Sequence, residues 1–256
     1  LVLVQETERQ IMAKLYTNVE GTLDINLKSS EVITIVLNKD LEINYHFEDG
    51  DYKVLVFNDG DKEITLKEKG ELINSKVEIN YLDLNRFNLV HENRIEVNAH
   101  SELNINSTYL GYGVKNIKFD LINKEWNSKV NISNKVVCLE QADFKMTIIG
   151  KIVKGAKNCK CHQKSNCLTF EDPKNCKVEP ILLIDENDVE ASHSLSCGTI
   201  DEDVLFYMNS RGLDKKASLS LLLLSYLMPS ENFYEGFENG LVLKELAEKK
   251  VSDLCM

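Results

Sequence analysis

From about Glu31 to Ser133 the chain is a succession of short apolar runs separated by turn formers, and this rhythm restricts the fold more than any other feature. Val32 to Leu37 and Val54 to Phe57 are close to continuously apolar, as a strand buried on both faces would be. The later runs, Val77-Ile79-Tyr81, Ile95-Val97, Leu103-Ile105, Ile117-Phe119-Leu121 and Val130-Ile132, mostly alternate at the period of two that a half-buried strand requires. Turn signals fall at Asn58 to Asp61, at the charge-crowded Lys67 to Glu71 and at Asn106-Ser107. Strands recurring at roughly 10 to 20 residues suit a sandwich, a barrel or a β-helix, and periodicity does not choose among them. A solenoid would bury the Val, Ile and Leu stripe and leave Lys76, Glu78, Asn80, Lys118 and Asp120 outward.

After His193 the period changes. Thr199 to Glu202 has the form of a capping box, opening a helix over about Asp201 to Arg211 that Gly212 ends. Asp214 can cap a second helix, with Ala217, Leu221, Leu224 and Leu227 on its apolar face and Pro229 as its stop. Glu238 to Leu254 gives a third amphipathic pattern through Leu241, Leu243, Leu246 and Val251. The expected organisation is an N-terminal segment over 1–20, a mainly β core over 21–198 and a small C-terminal helical domain over 199–256. The helical part is short for a core of its own, so it should dock on the β part or on another protein. Within the N-terminal segment Gln5 to Leu15 reads as a short helix, and Pro173 and Pro180 bracket an expected loop around Cys176.

With 43% hydrophobic residues in 256, the chain can bury a sizeable core. Its 30 basic against 41 acidic side chains, net −11, repel phosphate backbones and argue against nucleic acid as a partner. Seven cysteines, an odd number, without a basic-plus-apolar leader in the sequence shown suggest a reducing, cytoplasmic setting. The longest apolar run, Leu219 to Met228, is about half the ~20 residues that cross a bilayer, so a core helix rather than a membrane span is expected. No G-x-x-x-x-G-K-S/T, G-x-S-x-G or H-E-x-x-H motif occurs, and no carboxylate pair stands out as acid and base.

Two groups of residues have chemistry suited to metals. Cys159-Lys160-Cys161-His162, followed by Cys167 and Cys176, offers soft thiolates at a spacing that matches neither a zinc ribbon nor a ferredoxin. On a strand Cys159 and Cys161 share a face, which serves bidentate binding and core packing equally. His193 is an imidazole near neutrality, and a strand-to-helix turn would bring Cys197 within its ligand range. The metal candidates are therefore His193, Cys197, Cys167 and Cys176. Arg211 presents a five-donor fork beside a tight helix junction, while Asp201 and Phe206 are explained by capping and packing alone. Trp126 should pack, and His46, His91, His100 and His162 read as surface or turn residues.

The run Ala191-Ser192-His193, then Gly198, Ile200-Asp201, Leu205-Phe206-Tyr207, Ser210-Arg211-Gly212-Leu213 and Ala217, closely resembles the C-terminal signature of the SufB/SufD family of iron–sulfur cluster assembly proteins. Lys154 to Asn158, Gln163, Pro180 and Leu182 to Asp185 extend the resemblance over about Ile149 to Leu227, and Ser-Arg-Gly is nearer the SufD branch. The resemblance implies a right-handed parallel β-helix followed by the helical domain, and a non-catalytic scaffold with no catalytic residue. It implies that His193 helps to assemble a nascent cluster at a subunit interface, with no stably bound cofactor and an iron–sulfur cluster held only transiently. The implied partners are a SufC-like ATPase, docking at Asp201, Phe206, Tyr207, Arg211, Gly212 and Leu213, and a SufB-like subunit or a second copy of the chain. Lys164 stands where SufB proteins carry a functional cysteine after the glutamine, with Cys167 nearby. The helical domain that precedes the β-helix in typical SufD chains has no counterpart in the pattern. The competing readings are a carbohydrate-active β-helix enzyme and an interaction module with structural zinc among Cys159 to Cys176.

Overall fold

The computed structural model describes residues 12–140, 142–169, 175–229 and 231–253. Among them, one sheet holds β1 (Met12–Thr17), β3 (Glu31–Leu37), β5 (Asp51–Asn58), β7 (Lys76–Asp83), β9 (Glu102–Gly111), β11 (Lys129–Cys138), β13 (Cys159–Thr169) and β15 (Val189–Thr199), hydrogen-bonded in that order. The other holds β2 (Gly21–Leu27), β4 (Leu41–Glu48), β6 (Ile64–Ile73), β8 (Leu89–Val97), β10 (Val114–Asn123), β12 (Asp143–Ile152) and β14 (Asn175–Ile184). Every pairing is parallel, and the chain passes from one sheet to the other at each strand. This is a parallel β-helix of two strands per coil.

The coils are unequal, which hides the repeat in the sequence. Met12 registers with Glu31, 19 residues on, whereas Cys159 registers with Val189, 30 residues on. One corner nevertheless recurs: Asp49, Asn74, His100, Asn127 and Asn158 all adopt positive φ of 45 to 59°. Asn, Asp and His tolerate this left-handed region better than other side chains. Asn74 Nδ2 donates to Asp49 Oδ1 at 2.7 Å, so these corners also bond from coil to coil.

Inward residues of both sheets meet in one lumen packed by Ile33, Ile43, Phe47, Val54, Ile79, Leu103, Phe119, Phe144 and their neighbours. Lys67 to Glu71 and Asn106-Ser107, expected as turns, lie inside β6 and β9. In β6 the charge crowding masks an alternation, since Lys67 and Lys69 are exposed while Glu68 is buried. Pro180, expected to bound a loop, sits with Cys176 inside β14, at the sheet edge where a missing amide donor is tolerated. Met12 to Leu15 form part of β1, so the β body begins ahead of residue 21; the rest of the expected Gln5–Leu15 helix lies outside the described residues.

Three helices follow, α1 (Glu202–Ser210), α2 (Lys215–Leu227) and α3 (Gly240–Ser252). Asp201 caps α1 by accepting from the Asp203 amide, where Thr199 was expected, and Asp214 caps α2 through the Ala217 amide. Gly212, at φ +90°, ends α1. α2 and α3 fold back along the solenoid rather than extending it. Leu223, Leu227, Leu243, Ala247 and Val251 pack with Val32, Leu55, Phe57, Leu82, Leu110 and Val137, the outward side chains of the odd-numbered strands. That cover is why β3 and β5 are apolar on both faces. Thr34 Oγ1 donates to the Glu238 carbonyl at 3.4 Å, and Arg86 and Lys250 bond across the same seam to the Asp253 carbonyl and to Asn85 and Asp59. Leu227, Leu243 and Val251 are buried as expected, but Leu221 and Leu241 are exposed and Leu223 and Ala247 are buried instead. No helix of the described residues is long and apolar enough to cross a membrane.

Candidate functional site

The solenoid ends at β14 and β15, each the edge strand of its sheet. An unpaired parallel edge leaves a row of amides and carbonyls without ladder partners, and a last coil has no neighbour to cover its side chains. Ile181, Leu183, Ile184 and Leu195 are accordingly exposed here.

His193 lies on β15 and is exposed, because among the described residues no strand pairs beyond this edge. It registers with Gln163 of β13, which is buried and donates from Nε2 to the Ile181 carbonyl at 3.1 Å. Gln163 Oε1 is buried with no partner, an unspent acceptor one strand inside the edge. His162 Nδ1 lies 2.8 Å from Ser192 Oγ on the outer face. Because β15 runs unbroken to Thr199, His193 and Cys197 stand about 13 Å apart along an extended strand. The turn expected to gather them around one ion is absent.

Beyond β15, α1 buries no residue. Phe206 is 74% exposed and Tyr207 57%, so Phe206 does not pack as its capping-only reading required. The Arg211 guanidinium lies 5.2 Å over the Tyr207 ring, a stacked cation held at the helix end by its own amide bonds to Tyr207 and Met208 carbonyls. The Leu213 amide donates to the Met208 carbonyl, closing the turn that Gly212 permits. Tyr207, Arg211 and Gly212 thus meet at the exposed C-terminal end of α1, whereas Asp201 caps the opposite end of that helix.

Inside the lumen the structure assembles a group that sequence spacing did not. Cys138 ends β11, Cys167 lies on β13 and Cys176 opens β14, and their three sulfurs all lie within 4.8 Å of one another. Cys167 and Cys176 Sγ are 3.1 Å apart. Cys138 and Cys167 are buried and Cys176 half-buried. Thiol donation from Cys138 and then Cys167 draws the Cys176 thiol down, whereas contacts with its two neighbours and burial push Cys138 up. Such a group can hold a metal ion. Cys159 and Cys161 share the inward face as expected but join neither group: Cys159 bonds Ser128 Oγ and the Glu125 carbonyl, and burial pushes the Cys161 thiol up to about 12.

A second buried polar group was also missed. Glu68 accepts from Tyr45, Tyr81, Asn93 and His91, and His91 Nδ1 lies 2.8 Å from Tyr109. His91, read as a surface or turn residue, is 1% exposed. The signal was present in the phase of β8, where Leu89, His91, Asn93, Ile95 and Val97 all occupy the buried positions. Cys138 gave no such signal, since nothing in its spacing links it to Cys167.

A family model described as SUF system FeS cluster assembly, SufBD core domain, matches residues 8–226. The chain is 38% identical over 105 residues to the iron–sulfur cluster assembly protein SufD of Bacillus subtilis, covering 40% of this chain and 24% of that protein. It is 32% identical over 102 residues to an iron–sulfur cluster assembly SufBD family protein of Pyrococcus horikoshii, covering 39% of this chain and 22% of that protein. The alignments therefore span about a quarter of each relative's length.

Proposed function

The chain belongs to the SufBD family of iron–sulfur cluster assembly proteins, and from that premise we propose that it is a SufD-like, non-catalytic scaffold subunit of a cytoplasmic SUF complex. It pairs through β15 with a SufB-like subunit or with a second copy of itself. It binds a SufC-like ATPase through Asp201, Phe206, Tyr207, Arg211, Gly212 and Leu213. His193 sits at the pairing edge, where it helps to build or transfer a nascent cluster that is held only transiently.

The observation that carries this reading is the unfinished end of the solenoid. β15 is an edge strand with His193 exposed and apolar neighbours uncovered, and the next element, α1, buries nothing and displays Phe206, Tyr207 and Arg211. A partner that continues the sheet satisfies the edge and covers Leu195 and Leu183. The unpaired Gln163 Oε1 lies next to His193 in register and supports a polar role for that edge. The helices α2 and α3, clamped along the outer face, give a rigid connection between the α1 junction and the coils, so movement of an ATPase there would be transmitted to the solenoid.

The test is co-purification with the SufC-like ATPase of the same organism, comparing wild type with an Arg211→Ala, Tyr207→Ala variant. Association lost in the variant, with the far-UV spectrum unchanged, is the expected result. Wild type that fails to associate would overturn the docking assignment. His193→Ala in a cluster-assembly assay with the partners present should lose cluster yield while retaining association.

A further inference from the structure

We propose that Cys138, Cys167 and Cys176 form a three-thiolate site for one thiophilic transition-metal ion. The proposal does not rest on the scaffold reading, because the three ligands lie in the lumen and involve neither His193 nor α1.

The placement comes from the coils. Cys167 registers with Val136, two residues before Cys138, so the two thiols lie on neighbouring parallel strands of one sheet and face the same way. Cys176 registers with the buried Phe144 in the opposite sheet, which turns its sulfur toward them. The ligands thus come from both walls of a rigid solenoid, all three sulfurs within 4.8 Å of one another. Metal–sulfur bonds of about 2.3 Å put the sulfurs of a trigonal or tetrahedral ion roughly 3.8 to 4.0 Å apart. The 3.1 Å between Cys167 and Cys176 would have to open by under about 1 Å to reach that distance.

The chemistry of the donor set selects the ion. The group contains no imidazole or carboxylate among the described residues, and Cys176 registers with the buried Phe144. Thiolates without oxygen ligands disfavour Mg²⁺ and Ca²⁺ and favour soft or borderline ions such as Zn²⁺, Fe²⁺ and Cu⁺. Gly111, beside Cys138 on β9, keeps the space open: a Cβ there would lie 2.9 Å from the Cys138 sulfur. Binding releases the thiol protons, so affinity rises with pH.

The probe is Co²⁺, titrated into the intact chain purified without oxygen and fully reduced. About one equivalent should bind with a thiolate-to-cobalt charge-transfer band and the intense visible bands of a low-coordinate site, and Zn²⁺ should bleach them. Cys138→Ser, Cys167→Ser and Cys176→Ser should each lower the affinity by about tenfold or more, while Cys159→Ser and Cys197→Ser leave it in place. Alkylation of the wild type keeps the test open should a serine variant not fold: the bound ion should protect the peptides carrying Cys138, Cys167 and Cys176. A wild type without the charge-transfer band overturns the site, as does protection that maps to Cys159, Cys161 or Cys197. Recovery of a Cys167–Cys176 disulfide as the sole product of exposing the reduced, metal-treated protein to air would likewise overturn it, because a bound ion would hold those thiols.

Discussion

His91 Nε2 lies 2.7 Å from Glu68 Oε2 in the centre of the lumen, with His91 1% and Glu68 2% exposed. The two come from adjacent coils, and the pair is completed by Tyr45, Tyr81 and Asn93 donating to the same carboxylate. Burial alone would raise the Glu68 pKa, but the hydrogen bonds and charge of His91, with those of Asn93 and Tyr81, hold it below the usual 4.5.

Replacing Glu68 by Gln puts an amide donor against four donors, and should cost about 3 kcal/mol of stability. A carboxylate whose folded pKa is depressed contributes stability that is present above its unfolded value near 4.5 and is lost as pH falls through the lower folded value. Urea denaturation should therefore show a constant gap between wild type and Glu68→Gln from neutrality down to about pH 4.5, narrowing below it. A gap that widens on acidification would contradict the assignment.

Lys115 is fully buried and pairs with Asp83, also donating to the Asn85 carbonyl at 2.9 Å. Lys115→Met strands the Asp83 carboxylate and should cost about 3 to 5 kcal/mol. The double variant Lys115→Met, Asp83→Asn should cost clearly less than the two singles added, since neither charge is then left alone. Denaturant midpoints of the four proteins in the cycle check this.

Leu227, with no exposed surface, is the α2 side chain seated on the strands beneath. Leu227→Ala should destabilise by about 3 kcal/mol, whereas Leu241→Ala, on the exposed face of α3, should fall within about 0.5 kcal/mol of wild type. Equal effects would mean that the helices do not lie along the solenoid as described.

Gly150 on β12 faces the inward row of β13. A Cβ at this position would meet the Cys161 sulfur at 2.5 Å and Gln163 Nε2 at 2.7 Å. Gly150→Ala should cost about 1 to 3 kcal/mol, and adding Cys161→Ala should return part of it. A cost unchanged by the second substitution would place the clash elsewhere.

These sites differ in how far the sequence announced them. Asp214 and Gly212 were legible because a cap and a left-handed helix stop are local requirements met by few residue types. Glu68 and His91 were legible only in phase, as polar residues on the buried beat of β6 and β8, and the dense charge around Glu68 concealed that beat. The strand boundaries at Lys67 to Glu71 and Asn106-Ser107 failed for a related reason: outward Lys67, Lys69 and Asn106 do not end a strand, and the buried Ser107 is satisfied there by donating to Asn134 Oδ1.

The sequence by itself determined the β rhythm, the succession of strands by helices and the signature across His193 to Leu213 that carries the family resemblance, because these depend on near neighbours along the chain. The tertiary structure decided which distant residues meet. Coil offsets that range from 19 to 32 residues bring Cys138, Cys167 and Cys176 together and leave no fixed repeat to read. It also decided that His193 is exposed, since burial in a solenoid depends on whether another coil follows, and that the helices return to cover β3 and β5, whose apolar outer faces are accounted for only by that cover.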